Sequence, residues 1–240
     1  MRKLTLAIDI GATGLKAGVL DEDGTVTVPR ARVPTPKKGT PDRVLKALTE
    51  LIQPLGDFDR ISVGFPGVVR AGHVLTAPNL SNKAWRDYPL AAVLTDRFGK
   101  PVRMLNDATV HGLGVITGTG VECVVTLGTG FGFAMFDNGH LTPHLEVAHH
   151  PIHAGMDYDQ YIGDAALKAL GRKRWNNRLG LALACVRNLT GYDLLHIGGG
   201  NARNIRLDLE PNVRIVPNEA GITGGVRLWD ARLDPAFAAG

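Results

Sequence analysis

The chain has 240 residues, of which 44% are hydrophobic and 21% charged, and its formal net charge is +4 at pH 7. This composition is ordinary for a soluble globular protein, and the longest apolar runs fall far short of the roughly 18 residues that a membrane span needs. The length fits one large domain or two lobes of about a hundred residues each. The positive charge is mild evidence for an anionic ligand.

The first half of the chain alternates short apolar runs with helical patterns. Strands are predicted at 4–8 and 16–20, followed by an alternating segment at 25–35. A helix is predicted at 40–55, because a Thr cap and a Pro precede apolar residues at helical spacing, and Pro54 ends it. Further elements are a strand at 61–67, a helix at 89–99 and a strand at 101–107.

The second half repeats this order. It contains a predicted hairpin at 123–136 followed by 140–146, helices at 157–175 and 177–189, strands at 193–200 and 213–217, and a final short helix at 220–229. Strand hairpins that alternate with helices indicate an α/β protein. The same glycine hairpin occurs near residues 9 and 127, so two similar lobes facing a cleft are expected.

Glycine is clustered rather than dispersed. The chain has 30 glycines, with clusters at 9–14, 64–67, 127–133, 196–202 and 218–225. Glycine permits positive φ and lets a ligand approach the backbone closely. Each cluster is therefore a candidate ligand-binding turn.

The two cysteines and the first residues bear on location. Cys123 and Cys185 lie in apolar surroundings, which favours buried thiols over a disulfide framework. Only a short apolar run separates Met1 from Asp9, too short for the core of a signal peptide. A cytoplasmic protein is expected.

Five motifs in this order resemble the ROK group of sugar kinases, which have the two-lobed actin-like ATPase (ribonuclease H-like) fold with a central cleft. They are "DIGATGLKAG" from residue 9, "GFPGVV" from 64 with "VLTAPNL" from 74, "LNDA" from 105, "LGTGFGFAMFDNGHLTPHLEVAHH" from 127 and "LLHIGGGNA" from 194. The likeness runs from Leu4 to about Trp229. Within the group, the short length and "ALGRKRWNNRL" from residue 169 are most similar to the polyphosphate glucokinases.

The resemblance implies a division into two lobes and a reaction. Residues 1–107 would form an N-terminal lobe with the first phosphate loop and part of the sugar site. Residues 108–240 would form a C-terminal lobe with the second phosphate loop and the nucleotide or polyphosphate side, and the last helix is a candidate to pack back on the N-terminal lobe. The implied reaction transfers a phosphoryl group from polyphosphate, ATP or both to the 6-hydroxyl of glucose.

The residue types suit phosphoryl transfer, which needs N–H donors, hydroxyls, a cation and a divalent metal. The phosphate-binding candidates are Gly11, Thr13, Gly14 and Lys16 in the first loop and Gly128, Thr129 and Gly130 in the second. Asp9, at a strand end, is placed to hold Mg²⁺ through water. The alternative for the first loop is a plain tight hairpin with a solvated Asp and Lys.

By resemblance, Asp107 is the general base that accepts the proton of the sugar hydroxyl. The sugar contacts implied by the family fall on Asn79, Asn106, Asp107, Glu146 and His149. Two alternatives remain open: Asp107 could be a helix N-cap, and Glu146 and His149 could simply pair with each other.

The donor side has two candidate features. Gly198, Gly199, Gly200 and Asn201 resemble the loop that lies against adenosine in ATP-using relatives. Arg172, Lys173, Arg174 and Arg178 place four cations in seven residues, a pattern that suits a polyphosphate chain by electrostatic focusing. A solvated helix end with cations near its dipole is the alternative.

Some residues depart from the family pattern. Five histidines fall between His140 and His153, but the cysteine cluster that binds zinc in many ROK proteins is missing, so no structural zinc is expected and a histidine-only metal site stays open. Ala12 and Ala148 stand where the family usually has glycine, and the methyl group of Ala12 could shift the geometry of the N–H donors in the phosphate loop.

Other functions remain to be weighed. A strictly ATP-dependent ROK glucokinase, a hexokinase for another sugar and a catalytically silent sugar sensor stay open, whereas a DNA-binding repressor is not expected, because the first phosphate strand begins at residue 4. Neither nucleic acid nor a membrane is an expected partner. A homodimer is expected by resemblance only.

Overall fold

The computed structural model describes residues 3–237 and divides the chain into two compact units. The first unit contains the chain up to Gly114 together with the segment from Glu219, and the second unit is Val115–Asn218. The helix that begins at Asp107 packs on the sheet of the first unit. The C-terminal segment, the candidate to pack back on the N-terminal lobe, is grouped with that unit.

The strands are short and follow the predicted order. They are β1 (Thr5–Ile10), β2 (Gly14–Leu20), β3 (Ala31–Pro34), β4 (Arg60–Phe65), β5 (Val69–Arg70), β6 (His73–Val74), β7 (Val102–Asn106), β8 (Val121–Leu127), β9 (Phe131–Asp137), β10 (His140–Leu141), β11 (Pro151–His153), β12 (Met156–Asp157), β13 (Leu194–Gly198) and β14 (Val213–Ile215). The segment at 25–35 becomes a strand only in its last part, and Pro29 in its middle has no N–H for a ladder.

Helices cover these strands. They are α1 (Pro41–Ile52), α2 (Asn82–Trp85), α3 (Leu90–Phe98), α4 (Asp107–Leu113), α5 (Tyr158–Ile162), α6 (Asp164–Thr190), α7 (Ala220–Thr223) and α8 (Asp234–Phe237), with 3-10 turns at Gln53–Leu55, Val147–His149, Ala202–Asn204, Gly224–Trp229 and Ala231–Leu233. No helix within residues 3–237 combines the length and the apolar character that crossing a membrane would require.

The two units have the same sheet topology, as the repeated glycine hairpin predicted. The first sheet has the order β3-β2-β1-β4-β7, and the second has the order β10-β9-β8-β13-β14. In each sheet, the first three strands in chain order form an antiparallel meander. The fourth strand pairs in parallel with the first strand, and the fifth pairs in parallel with the fourth. The α/β class is confirmed, and each glycine hairpin joins the first two strands of its sheet.

Apolar spacing explains why α1 forms and where it packs. Pro41 occupies the first turn, where its missing N–H costs no hydrogen bond, and Val44, Leu48 and Leu51 are buried on one face. Fully burying each such side chain stabilises the fold by about 1.5–3 kcal/mol. The helix changes to a 3-10 turn at Gln53–Leu55, as Pro54 predicted.

Glycine also divides the long helical region of the second unit. In place of the predicted helices at 157–175 and 177–189, α5 ends at Ile162, and α6 continues past residue 176 with a kink at Gly171 inside it. Gly171 has φ 73° and ψ 164°, which no helical residue adopts. Beyond it, Trp175 is fully buried and its indole N–H donates to the Ile162 carbonyl at 2.7 Å, which secures the second segment.

Candidate active site

The β1–β2 hairpin forms the first candidate phosphate loop. The Gly11 amide donates to the Gly14 carbonyl at 2.9 Å, and a Cβ on Gly11 would lie 2.9 Å from the same oxygen, so the turn is too tight for a side chain. The Thr35 hydroxyl donates to the Gly11 carbonyl at 2.6 Å, and the Thr35 amide donates to the Thr13 carbonyl at 3.3 Å. Within residues 3–237, no acceptor receives the N–H groups of Ala12 and Thr13.

Alanine suits its position in this loop. The non-glycine residues with positive φ in the described chain do not include Ala12, so its methyl group causes no backbone strain. Thr13 is exposed at the tip of the turn. The loop therefore offers two N–H groups and a hydroxyl despite the departure from the family's usual glycine.

Asp9 and Lys16 are ordinary cross-strand neighbours that form an ion pair. They are paired in the β1–β2 register, and Lys16 Nζ lies 2.7 Å from Asp9 Oδ2. The Asp9 side chain is 15% exposed and that of Lys16 is 34% exposed, so neither is the freely solvated group of the plain-hairpin alternative. A Cβ on Gly221 in α7 would lie 3.7 Å from Asp9 Oδ2, so α7 leaves little room for a bulkier residue beside the carboxylate.

This arrangement fits Mg²⁺ bound mainly by water and phosphate. Mg²⁺ usually takes one or two protein carboxylates and keeps several waters. Lys16 binds Oδ2, which leaves Oδ1 of Asp9 as the oxygen for a hydrated ion. Among residues 3–237, no group of three or more His, Cys, Asp or Glu side chains has a geometry that would hold a metal by itself.

The β8–β9 hairpin forms the second candidate phosphate loop. The Asp164 amide, at the start of α6, donates to the carbonyls of Gly128 and Thr129 at 3.0 and 3.2 Å. The Phe131 amide donates to Asp159 Oδ1 at 2.6 Å. A side chain on Gly130 would overlap the Asp159 carboxylate, so only glycine fits there.

The N–H groups of Thr129 and Gly130 in the second loop do not take part in these hydrogen bonds. Its carbonyls are turned to the helix, and no group in the described part of the chain accepts the N–H of Thr129 or Gly130. Both units therefore present the same feature, a turn with two unpaired N–H groups between the first two strands of the sheet. Such backbone donors bind phosphate oxygens.

The glycine loop after β13 supports this second loop. The Asn201 amide donates to the Leu127 carbonyl at 2.9 Å, and Asn201 Nδ2 donates to the Gly128 carbonyl at 3.1 Å. Gly199 has φ 86°, and a Cβ built on it would overlap the Leu127 backbone, so only glycine fits there. Gly198 ends the strand, and Gly200 faces open space. Asn201 thus has a bracing contact that its assignment to the donor side did not include.

Asp107 begins α4 at the end of β7. The N-cap is Asn106, whose Oδ1 accepts from the amides of Ala108 and Thr109 at 3.0 and 3.3 Å. The alternative that made Asp107 the cap is therefore wrong. Asp107 Oδ1 accepts from the Ala108 amide at 2.8 Å, and the carboxylate sits in the first helical turn, where the helix dipole stabilises its ionised form.

Asn106 is held firmly in place. Its Nδ2 donates to the Gly67 carbonyl at 3.2 Å, so both ends of the amide have a protein partner. The same "GFPG" segment lies against Asp107, because a Cβ on Gly64 would be 3.4 Å from the Asp107 Cα. Asn79 lies in an exposed turn of the first unit.

The second unit contains the remaining sugar-site candidates. Glu146 Oε2 lies 3.3 Å from His144 Nε2, and His149 Nδ1 lies 3.4 Å from Asp157 Oδ2. The alternative that paired Glu146 with His149 is therefore wrong, because each of them has another partner. Asp157 was not predicted as a site residue, although it caps α5 through a capping box with Gln160.

The basic cluster on α6 consists of two kinds of side chain. Arg172, Lys173 and Arg174 are exposed and form no ion pair with any described residue. Arg178 instead donates to the Tyr161 carbonyl at 3.2 Å and stacks on its ring at 4.6 Å, so it is a structural residue. Cys185 is half-buried, less than expected, whereas Cys123 is fully buried and burial raises its pKa to about 11.

Comparison with known proteins agrees with this picture. A polyphosphate glucokinase of Mycobacterium tuberculosis (strain CDC 1551 / Oshkosh) is 30% identical over 239 residues, covering 90% of this chain and 88% of that protein. The crystal structure of an inorganic polyphosphate/ATP-glucomannokinase from Arthrobacter sp. strain KM superposes with a TM-score of 0.85 at 32% identity, covering 94% of this chain and 97% of that one.

More distant structures share the fold. A ROK family glucokinase from Streptomyces griseus, in complex with glucose and AMPPNP, has a TM-score of 0.78 at 21% identity, covering 94% of this chain and 98% of that one. The model of the ROK family matches residues 5–160. The chain has the actin-like ATPase fold and belongs to the ROK family.

Proposed function

We propose that this protein is a sugar kinase that transfers a phosphoryl group to the 6-hydroxyl of glucose, with polyphosphate as a donor and ATP as a second donor. The observation that carries the proposal is the duplicated loop. Each unit presents, at the same point of the same topology, two N–H groups that no acceptor among the described residues receives. A protein that only binds sugar has no need of two such loops.

Asp107 acts as the general base. A carboxylate can orient the attacking hydroxyl and accept its proton, and a loose transition state needs this orientation more than strong basicity. Its place in the first turn of α4, with the Ala108 amide on Oδ1, holds the carboxylate in one orientation. As the hydroxyl oxygen attacks the terminal phosphorus, the bond from that phosphorus to the bridging oxygen of the donor breaks, the shortened polyphosphate or ADP leaves, and Asp107 takes the hydroxyl proton.

The phosphate loops and Lys16 stabilise the negative charge of the donor. Phosphate oxygens are bound by the N–H groups of Ala12 and Thr13 with the Thr13 hydroxyl in the first loop, and by the N–H groups of Thr129 and Gly130 in the second. Gly11, Gly14 and Gly128, which were also candidates, shape these turns, because the N–H groups of Gly11 and Gly128 donate to the carbonyls of Gly14 and Gly130. Asp9 would hold Mg²⁺ through water, and Lys16 lies beside this carboxylate. Bound Mg²⁺ supplies charge neutralisation of the transferring group.

Sugar hydroxyls are recognised by amides, a carboxylate and an imidazole. In the first unit we assign this role to Asn79 and Asn106, and Asn106 has its orientation set by the cap and by Gly67. In the second unit we assign it to Glu146 and His149. The carboxylate of Asp157 next to His149 favours the tautomer with hydrogen on Nδ1, which leaves Nε2 as an acceptor for a sugar hydroxyl.

Polyphosphate as a donor rests on Arg172, Lys173 and Arg174, which form no ion pair with any described residue. They directly follow the kink at Gly171 and are exposed, so their charge is available to a ligand. Gly198, Gly199, Gly200 and Asn201 are assigned to the nucleotide or polyphosphate side. The relatives from Mycobacterium tuberculosis and Arthrobacter are named for polyphosphate, which supports polyphosphate as the donor.

The test offers glucose and Mg²⁺ with ATP or with long-chain polyphosphate in separate reactions and measures glucose 6-phosphate. Product with polyphosphate supports the proposal, and product with ATP alone assigns a strictly ATP-dependent enzyme. If neither donor gives product, a panel of hexoses distinguishes a kinase for another sugar from a silent sensor.

A triple variant tests the donor assignment separately. Replacing Arg172, Lys173 and Arg174 with Ala should raise the KM for polyphosphate about tenfold or more, with the largest effect at low salt, and should change the KM for glucose little. The control is Arg227→Ala with Arg232→Ala, two exposed arginines of the first unit. Equal effects of both sets would contradict a specific role of the α6 cations.

A further inference from the structure

Thr35 makes two hydrogen bonds to the first phosphate loop, and nothing in the sequence marks it as a site residue. It follows directly after β3, 24 positions from Gly11 in the sequence. Its hydroxyl donates to the Gly11 carbonyl at 2.6 Å, and its amide donates to the Thr13 carbonyl at 3.3 Å. Both loop carbonyls therefore have a partner on the same residue.

The carbonyl contacts determine where the loop N–H groups point. In a trans peptide the C=O of one residue and the N–H of the next lie in one plane and point in opposite directions. The hydroxyl of Thr35 attracts the Gly11 carbonyl, so the N–H of Ala12 is turned away from Thr35. That N–H has no acceptor among residues 3–237, which is what a phosphate-binding donor requires.

The sequence around Thr35 makes it a rigid support. Pro34 fixes its own φ, and Pro36 restricts Thr35 to extended backbone. The β-branched side chain of Thr35 has few rotamers, so the hydroxyl loses little freedom when it binds the loop. Thr35 is half-buried, which reduces competition from water.

We propose that Thr35 is a positioning residue that fixes the Gly11–Ala12 peptide so that the Ala12 N–H faces a phosphate oxygen of the donor. This inference rests on the proposed function, because it assumes that the loop binds a phosphoryl donor. Thr35 itself contacts neither donor nor sugar. Its effect passes through the orientation of one peptide plane.

The test compares Thr35→Val with Thr35→Ser. Valine keeps the shape and the amide contact to Thr13 but removes the hydroxyl, so the peptide at Gly11 is free to rotate. We expect kcat/KM for the donor to fall about five- to tenfold, as loss of one aligned hydrogen bond predicts, with the KM for glucose unchanged. Thr35→Ser should restore the wild-type value, because serine retains the hydroxyl.

The matched control is Thr27→Val. The Thr27 hydroxyl and amide both donate to the Val19 carbonyl, at 3.1 and 2.9 Å, in the connection between β2 and β3, away from the phosphate loop. A loss of activity that is equal in Thr27→Val and Thr35→Val would show a general effect on stability and would overturn the proposal. A loss confined to Thr35→Val supports it.

Two measurements test Thr35 without turnover. Amide hydrogen exchange in peptides covering residues 9–16 should be faster in Thr35→Val than in wild type, and calorimetry should show weaker binding of inorganic tripolyphosphate. Faster exchange and weaker binding in a protein that phosphorylates no sugar would keep the role of Thr35 and refute only the kinase. Unchanged exchange together with unchanged binding would overturn the role of Thr35.

Discussion

Glu122 in β8 is a buried carboxylate with only hydrogen-bond donors around it, and its replacement by Gln tests the stability of the second unit. Its side chain is 0% exposed. Oε1 accepts from the amides of Gly118 and Thr119 at 2.6 and 3.3 Å, and Oε2 accepts from the Thr117 amide at 2.9 Å. His196 Nε2 lies 2.8 Å from Oε2, and His196 is also buried.

The Glu122→Gln change preserves size but turns one acceptor into a donor. Whichever oxygen becomes NH₂, it then faces N–H groups that lose their acceptor. Leaving buried N–H groups without their charged acceptor costs about 1.5–3 kcal/mol. A protein of this size loses about 2–4 °C in Tm per kcal/mol, so we expect Tm to fall by at least about 3 °C.

Urea denaturation followed by Trp175 fluorescence measures this effect, because Trp175 is the only tryptophan of residues 115–218. Glu210→Gln is the control in the same unit, since the Glu210 side chain is 52% exposed and pairs with Arg187. The control should lose about 0–1 kcal/mol. If Glu122→Gln were no more destabilising than Glu210→Gln, the network would not stabilise the unit as argued.

Three further predictions follow from single contacts. Burial raises the pKa of Glu122, but its hydrogen bonds lower the pKa by more, so the net pKa lies below the usual value. The stabilisation that the ionised carboxylate gives is therefore present above pH about 4.3 and is lost as the pH falls through the folded pKa. Acid titration should then destabilise the wild-type protein more than Glu122→Gln. Ser62→Ala should cost about 1–3 kcal/mol by chemical denaturation, because Ser62 Oγ donates to the Gly225 carbonyl at 2.7 Å and accepts from Trp229 Nε1 at 2.9 Å inside the first unit. Gly199→Ala should reduce kcat/KM for the donor by more than about tenfold, whereas Gly200→Ala should leave it near the wild-type value, because of the two only Gly199 contacts the second phosphate loop. Equal effects of the two substitutions in a kinetic assay would contradict this.

Local signals explain most of what the sequence predicted about the fold. The apolar run before Asp9, the helix signals at Thr40 and Pro41 and the repeated glycine hairpin are all short-range patterns, and each corresponds to an element of the structure. The structure groups α4 with the first unit, whereas the proposed lobe boundary precedes this helix, because its packing depends on long-range contacts. Whether α4 packs with the preceding strands or with the following ones is not written in its own seven residues.

The site was predictable in part for the same reason. Glycine loops and their neighbours are contiguous, so the candidate phosphate-binding residues could be named from the sequence. Thr35 is far from Gly11 in sequence and meets it only through the β2–β3 pairing, and Asp157 meets His149 only through the β11–β12 hairpin region. Asn106 was expected as a sugar contact, but its role as N-cap needed the observed hydrogen bonds.

The central claim is that Asp107 acts as the base in phosphoryl transfer to a sugar, and Asp107→Asn tests it most directly. The substitution keeps the oxygen that accepts the Ala108 amide and removes the charge, so folding should be preserved, as circular dichroism would check. With glucose, Mg²⁺ and the donor that the wild-type protein uses, we expect kcat to fall by about 10²-fold or more with little change in the KM for glucose. Formation of glucose 6-phosphate by Asp107→Asn at the wild-type rate would contradict the account.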